Sequence, residues 1–71
     1  MNINDWLEPS EYPLQKGMAK EYATSIFINK YKSNGMDIDR LKNVDVWYSN
    51  DRQRYLLKAE YNGKAQIHRD T

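Results

Sequence analysis

Three runs rich in β-branched and aromatic residues fill the C-terminal part of the chain, and two short turn signals separate them. The runs are VDVWYS, RQRYLLKAEY and KAQIHR, and the breakers are Asn50-Asp51 and Asn62-Gly63. Asn-Gly and similar pairs supply the backbone conformations that tight hairpins need. The pattern therefore predicts a three-stranded antiparallel meander over residues 44–70.

The segment before this meander has the spacing of an amphipathic helix. Its apolar residues recur at helical intervals and form a broad stripe, consisting of Leu14, Met18, Tyr22, Ile26 and Ile28, flanked by Ala19, Ala23 and Phe27. Pro13 suits the first position of a helix, and Asn34-Gly35 supplies residues that end one. We therefore expect the main helix to span residues 13–34.

Two shorter segments complete the chain of 71 residues, a length typical of one small domain. Asp37 can cap a short helix over residues 37–43, and Asp5 can cap a single helical turn within the acidic segment 1–12. The predicted fold class is α+β, with one main amphipathic helix and short helical turns packed on a C-terminal three-stranded antiparallel β-meander.

The first turn also predicts a register. A two-residue loop at Asn50-Asp51 sets Val46 opposite Tyr55 and Trp47 opposite Arg54. Alternation then directs one set of side chains toward the helix, namely Val44, Val46, Tyr48, Tyr55, Leu57, Ala59 and Tyr61.

The register of the second hairpin stays open. A two-residue loop at Asn62-Gly63 turns Ile67 away from the helix, whereas a three-residue loop with a bulge turns it inward. Burial of Ile67 favours the second arrangement. In that arrangement Lys64 and His68 share the outer face of the sheet.

Basic and aromatic side chains alternate on this outer face. The candidate binding residues are Trp47, Arg52, Arg54, Leu56, Lys58, Lys64 and His68. An Arg54 guanidinium resting on Trp47 would fit the predicted register. Such a face is either an ordinary solvated sheet surface or a surface that binds another macromolecule.

The residue types exclude several kinds of chemistry. The chain has no cysteine and one histidine, so it cannot build a Cys or multi-His metal site or a Cys-His catalytic pair. Its three glycines are isolated, which excludes a phosphate-binding loop or a dinucleotide fingerprint. We predict no catalytic residue, no metal and no cofactor, and hence no enzyme activity.

Charge and hydropathy bear on location and ligand class. The net charge is +1, with residues 1–12 acidic and residues 13–35 basic. No apolar run approaches the roughly 20 residues of a membrane span, and the amino terminus lacks the basic start of a secretory signal. Since disulfides are also impossible, we expect a cytoplasmic protein without a membrane role.

The functional prediction is a small accessory or regulatory protein, a class that includes factors of phages and mobile elements. The favoured partner is another protein, because Trp, Tyr and Arg are common anchors of protein interfaces. The alternative is a DNA- or RNA-binding module that uses the same face. The chain is a monomer or a homodimer, the latter through Trp47 and Leu56 or through edge pairing of residues 44–49.

Overall fold

A computed structural model describes residues 1–63 of the chain. Their elements, in chain order, are strand β1 (Asn2–Trp6), a 3-10 turn (Gln15–Gly17), helix α1 (Lys20–Ser33), a second 3-10 turn (Ile38–Arg40), strand β2 (Leu41–Ser49) and strand β3 (Arg54–Tyr61). The predicted α+β class is confirmed for these residues, because one main helix packs on a three-stranded antiparallel sheet.

The identity of the third strand differs from the prediction. The strand order is β1-β3-β2, so β3 is central and both of its edges are paired. The meander strand expected after Asn62-Gly63 lies outside the described residues. The prediction placed that strand beside β3, on the edge that β1 occupies in the structure. The sheet therefore joins the two ends of the described chain.

The helical turn expected after Asp5 is wrong, because this segment is strand β1. Ile3 pairs with Ala59 and Asp5 with Leu57, and the Leu7 amide donates to the Tyr55 carbonyl at 3.0 Å. Ile3, Asp5 and Leu7 all turn inward and are buried. An inward-facing aspartate interrupts the apolar alternation by which a half-buried strand is recognised.

The hairpin of β2 and β3 keeps its predicted faces but has a different register. Val46 lies opposite Leu57 and Trp47 opposite Leu56, because residues 50–53 form a connection longer than two residues. Within it the Arg52 amide donates to Ser49 Oγ at 3.2 Å. The register is shifted by two residues, and a shift of two leaves every side chain on the same face.

Val44 is an exception to the predicted inner face. Between Lys42 and Asp45 the register shifts, so that Asn43 and Val44 together lie opposite Ala59. Asn43 adopts a left-handed conformation with φ 54°, and its side-chain amide donates to the Glu60 carboxylate. This β-bulge rotates Val44 outward, and its side chain is 40% exposed.

Helix α1 is shorter than predicted, and only part of the predicted apolar stripe is buried. It begins at Lys20 because Met18 and Ala19 are extended. Leu14 is 84% exposed and Tyr22 is 59% exposed, although both belonged to the predicted apolar stripe. The helix buries Ala23 and Phe27, which flanked the predicted stripe, and Tyr31, so that its buried residues have a spacing of four.

The predicted second helix is a single 3-10 turn. Its cap is confirmed, since the Asp39 amide donates to Asp37 Oδ1 at 3.1 Å. The turn ends at Arg40 rather than at residue 43, because Leu41 already pairs with Tyr61 in the sheet. The turn thus connects the end of α1 directly to the edge strand β2.

A buried aspartate links the helix to the sheet. Asp5 is 1% exposed, and its Oδ2 atom accepts a hydrogen bond from Tyr31 Oη at 2.8 Å and lies 2.6 Å from Lys30 Nζ. Its Oδ1 atom accepts from the Trp6 amide at 2.8 Å. A buried carboxylate is tolerable only when it is paired in this way.

A buried glutamine extends the sheet where β1 ends. Gln15 Oε1 accepts from the Tyr55 amide at 2.7 Å, and Gln15 Nε2 donates to the Leu7 carbonyl at 2.9 Å. The Gln15 side-chain amide thus replaces the hydrogen bond from the Tyr55 amide to the Leu7 carbonyl that would otherwise complete the antiparallel pair. This insertion explains why residues 15–17 leave the predicted helix.

We predict that Tyr31→Phe lowers the free energy of unfolding by about 1 to 3 kcal/mol, because it removes one hydrogen bond from a buried carboxylate. Urea titration followed by circular dichroism measures this loss. Tyr22→Phe is the matched control, since the Tyr22 side chain is exposed. Equal midpoints for the two variants would contradict the role of Asp5.

We also predict that Gln15→Leu destabilises the domain by about 2 to 4 kcal/mol, because two buried backbone groups lose their partner. A leucine substitution at the exposed Asn29 of α1 is the control, with an effect below about 0.5 kcal/mol. Thermal unfolding of both variants compares them. A Gln15→Leu protein as stable as the parent would show that the inserted amide is dispensable.

Candidate binding surface

The outer face of the sheet is the side turned away from α1. Trp47 and Lys58 lie on it, and their cross-strand neighbours are Leu56 and Asp45, respectively. On the other side of β3, Trp6 lies opposite Leu56. Register alone therefore brings two tryptophans and one leucine to the same row of the sheet.

A shallow depression of about 260 Å³ lies on this face. Its lining consists of Asn4, Asp5, Trp47, Arg52, Leu56, Leu57 and Lys58. Trp47 is 39% exposed, whereas Leu56 is half-buried. We call this feature the outer-face depression. Four of the predicted binding residues line it, namely Trp47, Arg52, Leu56 and Lys58.

Arg54 does not rest on Trp47, contrary to the prediction. It pairs with Ser49, and its Nε atom donates to the Arg52 carbonyl at 3.0 Å. The two-residue change in register moved it away from Trp47. Within residues 1–63 the cation-π contacts belong to Lys30 instead, over the rings of Phe27 and Tyr31.

A larger groove of about 710 Å³ lies at the end of the sheet, beside the connection between β2 and β3. Its lining consists of Pro9, Pro13, Leu14, Gln15, Lys16, Gly17, Tyr48, Asn50, Arg52, Gln53 and Arg54. We call it the end groove. Arg52 lines both concavities, so the end groove and the outer-face depression adjoin at this residue.

The two concavities differ in their charge. On the outer face two lysines have an acidic cross-strand neighbour, since Lys58 lies opposite Asp45 and Lys42 opposite Glu60. The end groove contains the cations Lys16, Arg52 and Arg54 and no carboxylate in its lining. Within the described chain, none of these three cations forms an ion pair.

A third groove, of about 320 Å³, lies between α1 and the segment after β1. Its lining includes Trp6, Glu8 and Lys30. Trp6 Nε1 donates to Glu8 Oε2 at 3.4 Å, and the ammonium group of Lys30 is paired with Asp5. These polar groups are already engaged within the fold, so this groove carries no binding hypothesis.

The described residues offer few other kinds of site. Among residues 1–63 no three His, Cys, Asp or Glu side chains come together as a set able to hold a metal ion. None of the helices in that range has the length and apolarity to cross a bilayer. Lys64 and His68, which were also predicted as binding residues, lie outside the described residues.

Sequence reasoning missed Lys16 and Tyr48 as candidate binding residues. Lys16 fell within the predicted main helix, but it lies in a 3-10 turn. Tyr48 was assigned to the inner face, where it packs edge-on against Tyr55 with ring centroids 5.5 Å apart, and it also lines the end groove. No local pattern signals a groove formed by segments so distant in sequence.

The chain was compared with known proteins at three levels. Models of protein families, curated proteins and solved structures give no match to it. Any function must therefore be argued from the described residues themselves.

Proposed function

We propose that this chain is a non-catalytic accessory protein that binds another protein through the outer face of its sheet. The observation that carries the proposal is the exposed indole of Trp47, which stands beside Leu56 in a depression rimmed by Arg52 and Lys58. The absence of cysteine supports a cytoplasmic setting for this role.

The chemistry of this surface resembles that of protein interfaces. Tryptophan and arginine are the most frequent residues with large binding contributions, and they act best next to apolar neighbours that exclude water. Trp47 and Leu56 belong to adjacent paired strands, which hold their backbones in place before a partner arrives. Little ordering entropy is then lost on binding.

The alternating charges of the face favour a protein partner over nucleic acid. Asp45 and Glu60 lie opposite Lys58 and Lys42, so the sheet surface carries both positive and negative charges. A nucleic-acid ligand draws most of its affinity from phosphate neutralisation, which needs an excess of cations. A protein partner can complement both signs at once.

Affinity capture from the cells that encode this chain tests the proposal, with nuclease present to remove nucleic-acid bridges. For the purified partner, we predict that Trp47→Ala weakens binding by about thirtyfold, which corresponds to about 2 kcal/mol for a central interface residue. Tyr22→Ala is the control, because Tyr22 is an exposed aromatic residue on α1.

Equal affinity of the Trp47→Ala and Tyr22→Ala proteins would contradict the proposal. Sedimentation of the parent protein and of Trp47→Ala adds a second readout. If the parent forms a dimer and Trp47→Ala is monomeric, the outer face pairs with a second copy of itself rather than with another protein.

A DNA- or RNA-binding module is the second candidate. The observation that favours it is the group of cations Lys16, Arg52, Arg54 and Lys58 along the end groove and the outer-face depression, next to Trp47. Aromatic side chains can stack on unpaired bases while such cations contact the phosphates.

For this candidate we predict a steep salt dependence in titrations with oligothymidylate and with duplex DNA. Replacing Arg54 and Lys58 by alanine should reduce the slope of log affinity against log salt by about one for each lost phosphate contact. No gel shift at low salt with either probe would reject nucleic-acid binding.

A further inference from the structure

We infer that the end groove binds a short acidic segment of the partner protein. The inference rests on the proposed protein-binding function and adds the chemistry of the partner. It concerns Lys16, Arg52 and Arg54 together with the apolar side chains between them, and it uses a surface that adjoins the outer-face depression through Arg52.

Charge is the first step of the argument. Lys16 comes from the 3-10 turn after Pro13, whereas Arg52 and Arg54 come from the connection between β2 and β3. The lining of the groove contributes no carboxylate, and in residues 1–63 these cations have no ion-pair partner. A ligand with carboxylates can supply the missing partners, and arginine binds carboxylates in a bidentate geometry.

The apolar part of the lining selects a peptide over a bare anion. Pro9 and Tyr48 are half-buried in the wall of the groove, while Pro13 and Leu14 are exposed. Leu14 is 84% exposed, so its side chain is open to contact with a ligand. Aliphatic side chains of an extended peptide can cover Leu14 and Tyr48 while its carboxylates reach the cations.

Both walls of the groove are held in place before binding. On one side Arg54 Nε is bonded to the Arg52 carbonyl, and the Arg52 amide is bonded to Ser49 Oγ. On the other side Gln15 is fixed to Leu7 and to Tyr55. Since these bonds already order the groove, little backbone entropy is lost when a ligand binds.

The limited extent of the positive charge favours an acidic peptide over nucleic acid. Lys16, Arg52 and Arg54 form a small cluster at the groove, while Asp51 is exposed in the same connection and Asp45 is exposed on the outer face. A net charge of +1 gives the chain no long-range positive potential that would attract a phosphate backbone. A few carboxylates match so small a cluster better than a continuous chain of phosphates.

Fluorescence anisotropy with the full chain tests the inference. The probes are a fluorescein-labelled peptide of Glu, Pro and Leu, the same peptide with Gln in place of Glu, oligothymidylate, and a short DNA duplex. We expect the acidic peptide to bind, and Arg52→Ala and Lys16→Ala each to weaken it by about tenfold. The matched controls are Arg40→Ala and Lys20→Ala, both exposed and outside the groove.

Several outcomes would overturn the inference. They are no binding of the acidic peptide, equal binding of its Gln analogue, tighter binding of either DNA probe, and equal losses in the control variants. Circular dichroism and thermal unfolding show whether each variant is folded. Arg52 and Lys16 are exposed, so their replacement leaves the core intact.

The same variants distinguish a failure of the inference from a failure of the proposed function. If Trp47→Ala loses the captured partner while Arg52→Ala and Lys16→Ala retain parental peptide binding, the outer-face function stands and the end-groove inference falls. If the groove variants lose the peptide while Trp47→Ala keeps the partner, the groove is an acidic-peptide site and the outer-face function falls.

Discussion

The arrangement of this domain depends on one buried carboxylate. Asp5 is buried on the helix-facing side of the sheet and is held by the Tyr31 hydroxyl, the Lys30 ammonium and the Trp6 amide. These bonds fix β1 against the C-terminal half of α1, and the aromatic side chains of that half then fill the core. A carboxylate with fewer partners could not remain buried there.

The position of β1 also determines the candidate binding surfaces. Because β1 pairs with β3 up to Leu7, the chain after it runs past the end of the sheet, where Gln15 enters between Leu7 and Tyr55. This brings Lys16 and Leu14 to the connection between β2 and β3, and the end groove lies between the two segments. The outer face bearing Trp47 remains clear of the helix.

The predictable parts of the structure were those governed by local alternation. The faces of Trp47 and Leu56 were predicted correctly, because a shift of two residues preserves them. Strand β1 was missed because its central inward residue is Asp5, whose burial depends on the distant Tyr31. The end groove could not be predicted, since its walls come from segments that no local pattern connects.

Native-state hydrogen exchange followed by NMR tests most directly the claim that β1 is the third strand beside β3. Met1 and Leu7 form backbone hydrogen bonds with β3. Because every second amide of an antiparallel strand points to its partner strand, the amides of Ile3, Asp5 and Leu7 face β3. The account predicts that these amides exchange as slowly as those joining β2 and β3, through global unfolding. Rapid exchange of these three amides, with the β2–β3 amides still protected, would contradict it.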